Sequence, residues 1–369
     1  MSPVRTLFEP VQIGSLRLRN RVVMAPMTRQ FSPGGVPTAE VGDYYVRRAR
    51  GGVGLIITEG LEIGHPASVH HTDIPDFHTP AALDAWAEIA VRVQAEGAAF
   101  VPQFWHVGGY RSVIADVSAP EVSAVSPSGV YRPGDPFGDP ASDEEIAAVV
   151  EAYAAAAEAA FRLGCDGIEL HAAHGYLIDQ FLWSSTNHRS DGYGGDLAGR
   201  SRFAVEVVQA CRRRTSPTFP VILRFSQWKT QDYTARLFAG PDELGQFLAL
   251  MVDAGVDVFD CSTRRFWTPE FEGSDLGLAA WTRRLSGRPT MAVGSVGLDS
   301  DVVASLHARE DASGVSSLDV LHEMLARGDF DLVGVGRALL ADPDWCAKVE
   351  AGDLGALRGF RRAQLEVLA

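Results

Sequence analysis

Cysteine is scarce in this chain of 369 residues: Cys165, Cys211, Cys261 and Cys346 are scattered, with no C-x-x-C pair among them. That spacing argues against a disulfide framework, a cysteine zinc site and an iron–sulfur cluster. Lysine is scarcer still, Lys229 and Lys348 being the only two among 33 basic residues. Basic residues are outnumbered by 47 acidic ones, and the net charge of −14 argues against nucleic acid and anionic membranes as partners. No apolar run reaches the roughly 18 residues that a membrane span needs. The opening residues, MSPVRTLFEP, lack the apolar core of a secretion signal, so the expected location is cytoplasmic.

What the chain has is a repeating strand-then-helix pattern and enough apolar residues, 46%, to bury a large core. Two short alternating pieces, FEPVQIG and LRLRN, predict a small hairpin ahead of the main body. Apolar runs then predict strands at 22–27, 53–59, 100–105, 167–170, 220–225, 256–260, 289–293 and 331–335. Helical spacing fills the intervals at 39–50, 81–96, 143–163, 201–214, 241–254, 276–285 and 302–309 with 317–327, and a last helix follows Arg337. Ser142 with Glu145 three residues on is a capping box opening the third of these. Largely apolar strands imply a parallel sheet covered by helices. Eight such repeats imply a closed (β/α)8 TIM barrel with an N-terminal hairpin and long loops after strands 3 and 4, at 107–141 and 183–199. An open doubly wound sheet is the alternative, but no G-x-G-x-x-G follows the first strand. No linker or low-complexity tract interrupts residues 1–369, which read as a single domain.

In a barrel the chemistry is expected where the strands end. The densest such stretch is GIELHAAHGYLIDQFLWSSTNHRSDGYGG, where a buried run opens into His171, His174 and Tyr176. Two imidazoles and a phenol within six positions can converge on one small ligand, whereas a lone histidine there would read as structural. Gln103 and Arg224 end strands three and five, and such polar groups need partners when buried. A flat heteroaromatic with carbonyls and ring nitrogens offers them, and Arg224 beside it would stabilise delocalised negative charge. Glycine-rich turns after strands seven and eight, Gly294-Ser295 and Gly336-Arg337, expose backbone N–H groups and a guanidinium where barrels bind phosphate.

With these residues in place the chain resembles the old yellow enzyme family of FMN-dependent ene-reductases, over nearly its whole length. The motifs are LRNRVVMAPMTR, QFWH, HAAHGYLIDQFL with NHRSDGYGG, and VGVGRALLADPDW, in that order. The resemblance implies FMN as cofactor and NADPH or NADH as reductant, and makes residues 1–369 one FMN-binding domain. It implies that Pro26, Met27 and Thr28 line the flavin, Gly60 and Gln103 meet its pyrimidine edge, and Arg224 its N1–O2 locus. Gly294, Ser295, Gly336 and Arg337 would hold the phosphate. His171 and His174 would bind the carbonyl oxygen of an activated alkene. Hydride would pass from flavin N5 to the β-carbon, with Tyr176 protonating the α-carbon. No metal is implied, and neither a monomer nor a homo-oligomer is favoured.

The chain also departs from the family pattern. No proline follows the QFL segment, and FSQWK after Arg224 is not the commonest continuation, which marks a subgroup. Thr28 stands where another branch places cysteine. The iron–sulfur cluster and second domain of long dienoyl-CoA reductases are not expected. Two alternatives remain at this level: a flavin-binding barrel without alkene turnover, and a flavin-free Schiff-base lyase using Lys229. A metal hydrolase built on the His171–His174 pair lacks neighbouring carboxylate ligands and the zinc-protease spacing.

Overall fold

The computed structural model describes residues 7–303 and 312–368. Eight parallel strands close into a barrel in chain order: β1 (Val22–Met24), β2 (Leu55–Leu61), β3 (Ala99–Phe104), β4 (Ile168–His174), β5 (Val221–Lys229), β6 (Val258–Ser262), β7 (Thr290–Val293) and β8 (Leu332–Val335). Closure is made by β8 against β1, where Val333 faces Val22 and Val335 faces Met24. Strand alternation divides the apolar residues between two cores. Val23, Leu55, Ile57, Val101, Ile222, Val258, Met291 and Leu332 fill the barrel interior. Val22, Ile56, Phe100, Leu170, Leu223, Phe259 and Val333 point outward into the layer of helices.

The expected hairpin is present as Val11–Ile13 paired antiparallel with Leu16–Leu18. Its Ile13, Leu16 and Leu18 pack into the interior core, so the hairpin plugs one end of the barrel and leaves the other for a site. The helix Asp143–Arg162 begins with the expected capping box: Ser142 Oγ accepts from Glu145 N–H at 3.2 Å, and Ser142 N–H donates to Glu145 Oε2 at 3.0 Å. Most of the helix expected at 302–309 lies outside the described residues. Among the described residues no helix is long and apolar enough to cross a membrane.

β2 and β6 end two residues beyond their expected runs, and β4 and β5 run four beyond theirs. β4 continues through His174 and β5 through Lys229, because the pair keeps hydrogen bonding beyond the apolar core. His171 faces Arg224 and Ala172 faces Phe225, after which a register shift sets His174 opposite Lys229. Strand β1 does the opposite and stops early. Ala25 N–H still donates to Val335 O at 3.0 Å, but Pro26 has no N–H to continue the ladder. The long connection after β3 carries a small hairpin, Val130–Arg132 with Asp135–Pro136. The one after β4 carries the short helix Leu177–Leu182.

Candidate active site

The C-terminal ends of the strands enclose a cavity of about 430 Å3, within the size range of small-molecule and cofactor sites. Pro26, Met27, Thr28, Gln103, His171, His174, Tyr176, Arg224, Gly294, Ser295, Gly336 and Arg337 all line it. Gly60 does not. The ring of Trp105 lies against that glycine, and a Cβ there would come within 2.8 Å of the indole.

At the β1 end, Glu59 Oε2 accepts the N–H groups of Arg29 and Gln30 at 2.8 and 3.0 Å, holding the segment that follows Thr28. Burial raises the Glu59 carboxyl to about 7.

A buried polar chain runs across four strands beneath the cavity. Gln103 Nε2 donates to Glu169 Oε1 at 2.8 Å. Arg224 Nη1 donates to Asp260 Oδ2 at 2.7 Å and Nη2 to Ser262 Oγ at 3.2 Å. Ser262 Oγ in turn lies 2.8 Å from His174 Nε2. Burial, then the nearby Asp260 charge, pushes Glu169 far above the usual carboxylate range. Asp260 thus takes the guanidinium, and Glu169 beside it keeps its proton.

Burial also drives both histidines well below their ordinary pKa, with the Arg224 charge adding to it, so both imidazoles are neutral. The tautomer of His171 follows from its hydrogen bond. Nδ1 of His171 accepts from Ala173 N–H at 3.3 Å, which leaves the proton on Nε2. Ser262 Oγ, which accepts from Arg224, is the hydrogen-bond partner of His174 Nε2. His174 has a left-handed backbone, φ 63°, and its ring lies on Trp228 at 4.5 Å between centroids. Tyr176 meets His171 edge-on at 5.0 Å and Trp105 at 4.8 Å. Burial, then the neighbouring phenols of Tyr110, Tyr131 and Tyr233, raises its hydroxyl above the ordinary value of a tyrosine.

At the far end, Gly294 has φ 142° and a Cβ there would lie 2.5 Å from Thr263 O, so the turn after β7 requires glycine. Ser295 Oγ donates to Arg264 O at 2.8 Å. Arg337 Nη2 donates to Ser300 O at 2.6 Å, and burial lowers its guanidinium to about 10.

Sequence reasoning missed Arg264, which lines the cavity and pairs with Asp301 Oδ2 at 2.9 Å. Its signal was present as Thr263-Arg264-Arg265 directly after β6, a strand that ends two residues beyond its expected run. Ser262, Trp105, Trp228 and Tyr233 line the cavity as well. Cys261 is fully buried packing, and Trp267 lies against Phe266 outside the cavity. Lys229 is fully buried, bonded to Asp179 at 2.6 Å, and does not line the cavity. A Schiff-base role for it therefore lacks both access and a free amine.

Arg224 and Arg264 both line the cavity, and the Nε of each is buried without a partner among the described residues. Guanidinium side chains along one cavity, with Gln103 at one end and the glycine turns at the other, fit an elongated anionic heteroaromatic such as FMN.

A model of the NADH:flavin oxidoreductase / NADH oxidase family matches residues 6–354. A metal reductase of Desulforamulus reducens is 32% identical over 94% of this chain, which spans 49% of that longer protein. 12-Oxophytodienoate reductase 7 of Oryza sativa subsp. japonica is 32% identical, covering 92% of this chain and 86% of its own. Among solved structures, morphinone reductase in complex with tetrahydroNAD superposes with a TM-score of 0.79 at 27% identity, covering 98% of this chain and 97% of that one. The barrel, the cavity and these likenesses agree, and the chain belongs to the old yellow enzyme family of FMN-dependent oxidoreductases.

Proposed function

We propose that this chain, as one FMN-binding barrel domain, is an ene-reductase acting on alkenes activated by a carbonyl. The observation that carries the reading is the meeting of two neutral imidazoles and a protonated phenol in one cavity, above the Gln103–Glu169 and Arg224–Asp260 pairs. The names of two relatives, 12-oxophytodienoate reductase and morphinone reductase, support a substrate bearing an oxo group. Bound FMN would supply the two-electron chemistry, taking reducing equivalents from NADH or NADPH and passing them to the alkene.

The protein's part follows from its residues. Gln103 and Arg224 hold the ring system, with Pro26, Met27 and Thr28 beside it. Gly294, Ser295, Gly336 and Arg337 hold the phosphate, joined by Arg264. Nε2–H of His171, together with His174, donates to the carbonyl oxygen of the substrate, a bond that strengthens as enolate charge develops. Tyr176 delivers its proton to the α-carbon. A phenol of raised pKa stays protonated at neutral pH until a strongly basic enolate demands the proton.

The test is an absorption spectrum of the purified protein, followed by anaerobic NADPH or NADH and then 2-cyclohexenone. Flavin bands that bleach with the nicotinamide and return with the enone are expected. Bands that bleach and stay bleached would reduce the protein to a flavin binder, and a protein that takes up no FMN would end the reading altogether.

A further inference from the structure

Lys229 and Asp179 form a fully buried ion pair that the chemistry above does not use. Buried pairs of this kind are often no more stabilising than well-packed apolar residues, so stability by itself does not account for it. Its connections do. Asp179 Oδ1 takes the ammonium at 2.6 Å, while Oδ2 accepts the N–H of Gly175 at 2.7 Å. Gly175 is the residue between His174 and Tyr176. Both His174, φ 63°, and Gly175, φ 80°, are left-handed, so the backbone here leaves every regular hydrogen-bonding pattern.

The segment that carries Lys229 supplies the missing partners. Ser226 Oγ accepts from His174 N–H at 3.0 Å. Thr230 donates to His174 O through its N–H at 3.1 Å and its Oγ1 at 2.8 Å. Gln231 Nε2 and Gln180 Nε2 each donate to Gly175 O at 2.7 Å. Lys229 Nζ closes this cradle on itself by donating to Ser226 O at 3.2 Å.

We propose that Asp179, with Lys229 as its buried counter-ion, is a positioning residue that acts through the Gly175 amide to set His174 and Tyr176 over the substrate. The proposal rests on the ene-reductase reading for its consequence, but the turn it fixes is measurable without any turnover. The WK of the unusual FSQWK segment thereby acquires a role: Lys229 neutralises the carboxylate that anchors the turn, and Trp228 packs on the His174 ring.

The experiment compares two double variants that both remove the charges. Lys229→Met with Asp179→Leu removes the acceptor for Gly175, whereas Lys229→Met with Asp179→Asn keeps an oxygen there. In the first, hydrogen exchange at the Gly175 amide is expected to accelerate at least about tenfold. Its kcat with 2-cyclohexenone is expected to fall by about tenfold to a hundredfold, the scale on which misplaced groups act. FMN stays bound at the wild-type ratio. The second should return both readouts to within a few-fold of wild type. Wild-type exchange and turnover in the leucine variant would overturn the proposal, as would equal impairment in both variants. Faster exchange with wild-type turnover would also overturn it. If the wild-type protein reduces no enone, the ene-reductase reading fails, and exchange at Gly175 alone decides whether the pair holds the turn.

Discussion

Tyr176 stands among rings, with His171 at 5.0 Å, Trp105 at 4.8 Å and Tyr110 at 5.9 Å between centroids. Those neighbours disfavour the phenolate, so the hydroxyl is a proton reservoir that empties only into a strong base. Tyr176→Phe is expected to slow alkene reduction by about a hundredfold, within the range of a positioned acid. Flavin reduction by NADPH or NADH should stay nearly intact. Stopped-flow measurement of the two half-reactions separates them, and equal loss in both would refute the proton-donor role. The three residues of this group were readable from HAAHGY alone, because they fall on a strand end within six positions. Glu169 and Asp260 were not. Each looks like an incidental acid in an apolar run, and only the closing of the barrel puts Glu169 on Gln103 and Asp260 on Arg224.

Elements were legible where one period repeats over several residues and lost where pairing is decided across strands. All eight barrel strands carry the expected apolar runs, yet the extensions of β4 and β5 depend on a register shift between Ala172 and His174 that neither strand encodes by itself. Gly334 makes the same point inside β8. In sequence it is one glycine of VGVG, but a Cβ there would lie 2.3 Å from Val293 Cγ2 on the neighbouring strand. Gly334→Ala should therefore overpack the barrel interior and cost about 1–3 kcal/mol. Denaturant unfolding of the flavin-free protein checks this: an unchanged midpoint would mean that β7 and β8 part without penalty.

For the molecule as a whole, buried titratable groups give stability a pH dependence of two opposed parts. Burial lowers His70 to about 4, while an unfolded chain takes up that proton near 6.5. Between these values the unfolded state binds more protons, so this contribution is complete above pH about 6.5 and is lost as pH falls towards 4. Glu62 runs the other way. Burial, then the nearby Asp76, raises it to about 7 from 4.5, so the folded state holds the extra proton and stability is lost as pH rises through that window. Thermal midpoints at pH 5 and 8 separate the two. His70→Phe should shrink the loss on the acid side, and Glu62→Gln should gain over wild type at pH 8 more than at pH 5. A Glu62→Gln gain that is the same at both pH values would mean that Glu62 titrates normally. What the sequence by itself determined was local and periodic: eight apolar runs, their helices, a capping box, and polar residues at strand ends, all set by the side-chain alternation of strands and helices. What only the tertiary structure decided was where protons and charges reside. The proton on Glu169, the neutrality of His171 and His174, and the sealing of Lys229 against Asp179 depend on burial and on partners from other elements. Those partners meet only when the barrel closes.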